Sequence, residues 1–162
     1  MTRALHQLIL LLMVSLLNLA SLSMPALACP QGMSWGMDRA TVEKELGVEL
    51  IDIGQSVGEN LFEVENFLIG NLQVEKLRFK LAEKQGLQRL AIDIQPSDMT
   101  EVLASLRHQF GPPVTTMLEE EGKNLQQEWV WNTGEDLITA IRKSNDVFLL
   151  DYKPTRLAPD SL

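Results

Sequence analysis

Cysteine is nearly absent from this chain. Its 162 residues contain one, so no internal disulfide can form, and stability must come from a packed core. Histidine is almost as rare. Of two, His6 lies in the apolar leader and only His108 lies beyond it. Structural zinc wants four Cys or His ligands, which one of each cannot supply. No G-x-x-x-x-G-K-S/T or G-x-G-x-x-G run is present, so nucleotide phosphates have no glycine-rich cradle. No D-x-D-x-D-G loop offers a calcium site. No G-x-S-x-G elbow marks Ser34, Ser56, Ser97, Ser105, Ser144 or Ser161 as a partner for His108. Basic residues are the minority, 14 Lys+Arg against 22 Asp+Glu. That balance argues against nucleic acid, whose binding rests on cations neutralising phosphates, and against anionic headgroups as a direct partner. With 22 acids, chance carboxylate pairs are unavoidable, so they do not point to glycoside chemistry. The expectation is a protein that is not an enzyme, with no cofactor and no metal.

What is present begins with an export signal. Arg3 and the amino terminus form a short positive end, and Leu8–Leu17 is an uncharged apolar run of ten residues. Ala26 and Ala28 give the A-x-A pattern before a cleavage point, completing the grammar of a secretory leader. A bilayer core needs about 20 apolar residues, so a retained anchor is the weaker reading. Residues 1–28 are read as the signal, with cleavage at Ala28-Cys29 and release into the periplasm or cell envelope. Cys29 then becomes the first residue. It is read as a lipidation site, a free N-terminal thiol or a cysteine paired between chains. Lipidation there is the one expected link to membrane. Ala26, where lipoprotein signals usually carry Leu, and Pro25 favour ordinary cleavage.

Beyond the leader the spacing predicts one domain over 29–153 and a loose tail over 154–162. Asp38 is placed to cap a short helix, with Met37 and Val42 at staple positions and Gly47 ending it. Alternation then predicts strands at Glu49–Gln55, Leu61–Leu68, Leu72–Lys80 and Leu87–Ile94. The third changes phase: Leu72 and Val74 share one parity, Leu77, Phe79 and Leu81 the other, which predicts a bulge near Glu75-Lys76. A second helix is expected over Asp98–Phe110. Met99, Val102, Leu103, Leu106 and Phe110 make one apolar stripe, with Asp98 and Glu101 as a capping box. Gly111-Pro112-Pro113 stops it. Strands follow at Val114–Leu118, Leu125–Asn132, Asp136–Arg142 and Asp146–Lys153, with Glu119–Asn124 as an acidic turn. The short connections imply antiparallel pairing. The expected class is α+β: an antiparallel β-meander sheet with two short helices packed on one face. Both halves open with a helix closed by Gly, the pattern of a duplicated α–β unit, although their residues match weakly.

The segment Gly36-Met37-Asp38-Arg39-Ala40-Thr41-Val42-Glu43-Lys44-Glu45-Leu46-Gly47 has the form G-M-x4-V-x3-L-G. It resembles the opening of the small lipoprotein family of the outer-membrane β-barrel assembly machine. It is also similar to the β-lactamase-inhibitor-like α+β envelope proteins. Phe110-Gly111-Pro112 followed by Trp129-x-Trp131 resembles a run in exported proteins of unknown function. This chain departs from the assembly family, which has a helix pair and then three strands.

The resemblance implies an exported, non-catalytic protein that binds another envelope protein in an assembly or scaffold role. The alternative is a proteinaceous inhibitor of a periplasmic or extracellular hydrolase such as lysozyme, with surplus acid steering it to a basic enzyme. Trp35, Trp129, Trp131 and Tyr152 are the candidate protein contacts, since Trp and Tyr dominate interface hot spots. Shared parity with Leu125 also lets Trp129 and Trp131 pack under the second helix. His108, off the apolar stripe, reads as solvated.

Overall fold

A computed structural model of the chain describes residues 32–56, 58–121, 124–143 and 147–155. The leader and Cys29 lie outside the described residues, as do the ends of the chain beyond Thr155. The element order is α1 (Arg39–Leu46), β1 (Ile51–Ser56), β2 (Glu59–Ile69), β3 (Leu72–Ala82), β4 (Gly86–Ile94), a 3₁₀ turn (Pro96–Asp98), α2 (Met99–Phe110), β5 (Thr115–Glu121), β6 (Asn124–Asn132), β7 (Asp136–Lys143) and β8 (Val147–Pro154).

The eight strands form one antiparallel sheet in the order β1-β2-β3-β4-β8-β7-β6-β5. Each half is a four-stranded meander, and the two meet where β4 pairs with β8, from Leu90↔Tyr152 to Ile94↔Phe148. Register lines up two buried rows across six strands. One runs Phe62, Phe79, Leu90, Tyr152, Ile138, Trp131; the other runs Val64, Leu77, Ile92, Leu150, Ala140, Trp129. Val42 and Leu46 of α1, and Val102, Leu103 and Leu106 of α2, belong to the same buried cluster.

Helix α1 is fixed at both ends as its sequence requires. The Asp38 carboxylate accepts the Thr41 N–H at 2.8 Å, and hydrogen bonding from Thr41, its side chain first and its N–H second, holds that acid below its ordinary pKa. Gly47 takes the left-handed conformation at φ 68°. Eight residues are too few for a self-sustaining helix, and Arg39 and Glu43 stitch it to the sheet. Arg39 donates to the Leu50 carbonyl at 2.8 Å, pairs with Glu43 at 2.8 Å, and rests over the Phe62 ring. Glu43 accepts the Leu50 N–H at 3.0 Å, the main reason its pKa is lowered, with Arg39 second. Helix α2 differs from expectation at its start. Asp98 has helical backbone angles and makes no side-chain cap, because the 3₁₀ turn already winds the chain before Met99. The capping box with Glu101 is therefore not formed.

The bulge read from the parity change is present. Val74 pairs with Ile94 and Lys76 with Asp93, so Glu75 is the extra residue of β3. On its other side β2 changes phase at the same level. Asn66 lies between the pairs Glu65↔Lys76 and Phe67↔Val74 and takes φ 53°, the one positive φ at a non-glycine residue among those described. The matched irregularity lets Phe67 follow Val64 onto the buried side despite the odd spacing. Asn tolerates this backbone better than any branched residue. Glu119–Glu121, read as part of a turn, instead continue β5 in register with β6. Pro154, read as the start of the tail, instead ends β8, and Thr155 N–H is bound to the Glu135 carbonyl at 2.9 Å; the rest of the expected tail lies outside the described residues.

Before α1 the chain is irregular but anchored. Gly36 N–H donates to the Leu87 carbonyl at 3.0 Å, and Leu87 N–H to the Met37 carbonyl at 2.8 Å. This close approach depends on Gly86. A Cβ there would sit 2.2 Å from the Gly36 carbonyl oxygen, at φ 63°. Gly47 has a similar φ of 68° but open space around its Cα.

Two substitutions test these backbone devices. Gly86→Ala should lower the unfolding free energy by about 3 kcal/mol or more, through clash added to strain, whereas Gly47→Ala should cost about 1 kcal/mol, from strain alone. Equal losses in urea titrations would refute the packing role of Gly86. At the paired irregularity, Asn66→Gly should stay within about 0.5 kcal/mol of wild type while Asn66→Val loses about 2 kcal/mol. An unchanged Val variant would mean that the left-handed backbone at this position is not required.

Candidate functional site

Most of the aromatic candidates are inside the protein. Trp131 is 1% exposed, Tyr152 6% and Trp129 8%. All three belong to the two rows that form the core, and Trp131 donates its indole N–H to the Gly111 carbonyl at 2.9 Å. They are structural residues and not surface contacts, because their parity turns them toward the buried side. Trp35 is half-buried, not a free surface ring. Its indole N–H donates to Asp136 Oδ1 at 2.6 Å, across 101 residues of sequence. His108 is exposed on α2, as expected.

Asp136 is the most unusual ionisable group described. It opens β7, is fully buried, and its Oδ2 has no hydrogen-bond partner. The turn before it is tightly tied. Asp136 N–H donates to Thr133 Oγ1 at 2.9 Å, Gly134 N–H to Asn132 Oδ1 at 2.9 Å, and Thr155 Oγ1 to the Gly134 carbonyl at 2.6 Å. Burial pushes the Asp136 carboxyl above the ordinary carboxylate value. The Trp35 N–H opposes that rise and the charge of Glu135 adds to it. The group links the segment preceding α1 to the second meander. Nothing local in the residues pointed to it, since an Asp after Thr-Gly-Glu reads as an ordinary turn residue.

The sheet face opposite the core carries a lattice of ion pairs. Lys76 bridges Glu63 at 3.1 Å and Glu65 at 3.0 Å, which raises the Lys76 pKa, Glu65 contributing most. Arg78 pairs with Asp93, Lys80 with Glu59, and Asp151 with both Arg89 and Lys153. A hollow of about 240 Å³ lies among Ile53, Leu61, Arg78, Lys80, Arg89 and Leu149. Its three cations already hold carboxylates, so it is not an anion site. A groove of about 480 Å³ runs beside α2 over Ile92, Ile94 and Leu150. Among the described residues no group of three or more His, Cys, Asp or Glu is arranged to hold a metal, and no helix is long and apolar enough to cross a membrane.

Exposed apolar side chains concentrate elsewhere. Of seven large exposed hydrophobics among the described residues, Val114, Met117, Leu118 and Leu125 sit on or beside β5 and β6, at one end of the sheet. Leu118 is 64% exposed and Met117 51%. Register puts Met117 on the ion-pair face with Glu128, and Leu118 on the core-side face with Gln127. A shallow depression of about 420 Å³ is lined by Met117, Leu118, Glu119, Gln126 and Glu128. Sequence reading ended this strand at Leu118 and treated the Glu run as a turn, so the strand is longer than expected.

No protein-family model matches this chain. No curated protein matches it. Among solved structures it is similar to a DUF4309 family protein, YjgB, from Bacillus subtilis, at 13% identity and a TM-score of 0.45, covering 73% of this chain and 78% of that one.

The raised Asp136 pKa has a definite stability signature. The fold favours the protonated acid, so its contribution is fully present below the unfolded carboxylate value and is lost as pH rises through the folded one. Asp136→Asn removes that titration and keeps an acceptor for Trp35. The variant should therefore gain on wild type steadily as pH is raised from 3.5 toward 7, read as the difference in urea midpoint. A constant difference across that range would show that Asp136 does not titrate abnormally.

Proposed function

We propose that this chain is an exported protein of the periplasm or cell envelope that acts by binding another protein, in an assembly or scaffold role, and not by catalysis. The observation that carries the reading is the clustering of exposed apolar side chains at the β5 end of the sheet. Single exposed hydrophobics are ordinary, but here exposed apolar surface wraps one edge: Leu118 and Leu125 share the core-side face, Met117 lies on the other face of β5, and Val114 sits in the loop before it. Such a patch with acids beside it suits a protein contact. Export rests on the leader over residues 1–28, and any membrane tether would be a lipid on Cys29.

The same reading takes the two halves as copies of one helix-plus-meander unit, with both helices covering the Trp129–Trp131 side of the sheet. The palindromic strand order supports it, as does the sharing of one buried cluster by Val42, Leu46, Val102, Leu103 and Leu106. A second reading, inhibition of a basic hydrolase, draws on Glu119 and Glu128 beside the apolar patch. Cell-wall turbidity under lysozyme, with and without micromolar protein, decides it.

The main test is site-specific photo-crosslinking in living cells. A crosslinking residue at Met117 or Leu118 should yield an adduct with an envelope protein, and one at exposed Thr100 on α2 should not. Intact mass of the recovered protein should begin at Cys29. Adducts equally abundant from every position, or none at all, would overturn specific protein binding. An unprocessed chain in the cytosol would overturn export.

A further inference from the structure

The two edges of the sheet are finished differently. β1 is six residues long, and its pairing with β2 slips between Asp52 and Gly54. Gly54 takes φ 129°, and the Asp52 carboxylate accepts its N–H at 2.9 Å. A bulge of this kind twists an edge away from the plane a further strand would need, which is one way proteins blunt an exposed edge. β5 has no such device. Its pairing with β6 runs from Thr115↔Val130 to Glu121↔Asn124 without a shift, over seven residues with no proline. Among the described residues only β6 pairs with it. Alternate residues of β5 therefore turn their N–H and C=O groups outward as a regular, unused ladder.

The side chains beside that ladder are sorted by face. Met117 and Glu119 share a face with Glu128, and Leu118 faces the other way. The depression along this edge contains two acids, one amide and two apolar side chains, and no cation lines it.

We propose that the free edge of β5 accepts an extended segment of a partner protein as a ninth strand. The segment carries Lys or Arg on the side of Glu119 and Glu128 and aliphatic residues on the side of Leu118. The proposal rests on the protein-binding reading above and adds its mode and the partner's chemistry. Main-chain bonds supply affinity in this kind of recognition, and alternate side chains supply selectivity. The thioether of Met117 covers the aliphatic stems of the incoming cations. A second copy of this chain fits less well. It brings no cation to Glu119 or Glu128 from its own β5, and both copies are strongly acidic, at −8 for the whole chain.

The test uses the purified exported protein and a nine-residue peptide of alternating Lys and Val. Two further versions are N-methylated on every Lys or on every Val, and a Glu/Val peptide serves as the charge control. The Lys/Val peptide should bind and slow hydrogen exchange at alternate amides of Thr115–Glu121, leaving β1 unchanged. One methylated version should lose at least about tenfold in affinity while the other keeps it, because only one parity of peptide amides meets the edge. The Glu/Val peptide should not bind, and Glu119→Lys with Glu128→Lys should weaken the Lys/Val peptide by about tenfold or more.

Absence of protection on β5, or equal binding by both methylated peptides, would overturn strand addition. Protection that grows with protein concentration in the absence of peptide would assign the edge to a second copy and overturn the proposal as well. Should the peptide fail while Met117 and Leu118 still crosslink to an envelope protein, strand addition is wrong and the binding reading stands. Should both fail, both are wrong.

Discussion

Two rows of apolar side chains, each crossing six strands, hold the remainder of the structure in register. Because side chains alternate along a strand, a slip of one residue in any of β2, β3, β4, β6, β7 or β8 would turn its row members out to water. Phe79, Leu90, Ile138 and Trp131 in one row, and Leu77, Ile92 and Ala140 in the other, are at most 2% exposed, so none has slack. Local irregularities follow from that demand. Asn66 and Glu75 are displaced together so that β2 and β3 change phase at one level, keeping Phe67 and Val74 with the core. The ion pairs on the opposite face matter less for stability. Their Lys and Arg partners are partly exposed, and surface pairs of this kind contribute about 1 kcal/mol at most; the exception is Asp151, which is itself buried and held by Arg89 and Lys153.

Much of this was legible in the residues, where the cause is local. Asp38 and Gly47 mark the limits of α1 through cap chemistry confined to four residues on either side. The parity change between Val74 and Leu77 announced the bulge in β3. All eight strands and both helices fall within a few residues of their expected places. The sheet is antiparallel as the short connections required, and the mostly-β, α+β class holds.

What was not legible depends on distant partners. No local pattern says that Gly86 must lack a side chain because Gly36 arrives against it, or that Trp35 will find Asp136 a hundred residues on. Asn66 looked like an ordinary polar strand residue, since its backbone answers to Glu75 across the hairpin. Asp98 had the right neighbour for a capping box, but Pro96 winds the chain early and takes that role away. The Glu119–Glu121 run was misread for a different reason. Three consecutive acids depress strand propensity, and the pairing of β6 with both β5 and β7 overrides it. The candidate site reaches into that misread segment only at Glu119, and that the strand carrying it is a sheet edge came into view only with the strand order.

The strand order also has a temporal meaning. β8 is the last element of the described chain, yet it occupies the middle of the sheet, between β4 and β7. A polypeptide emerging N-terminus first, from a ribosome or through a membrane pore, can assemble either meander early, but each then has an uncovered inner strand. Only arrival of the final segment joins them. The tertiary unit is thus withheld until nearly the whole polypeptide has been delivered, and a premature stop codon shortly before Val147 would leave two incomplete sheets in place of one slightly smaller protein.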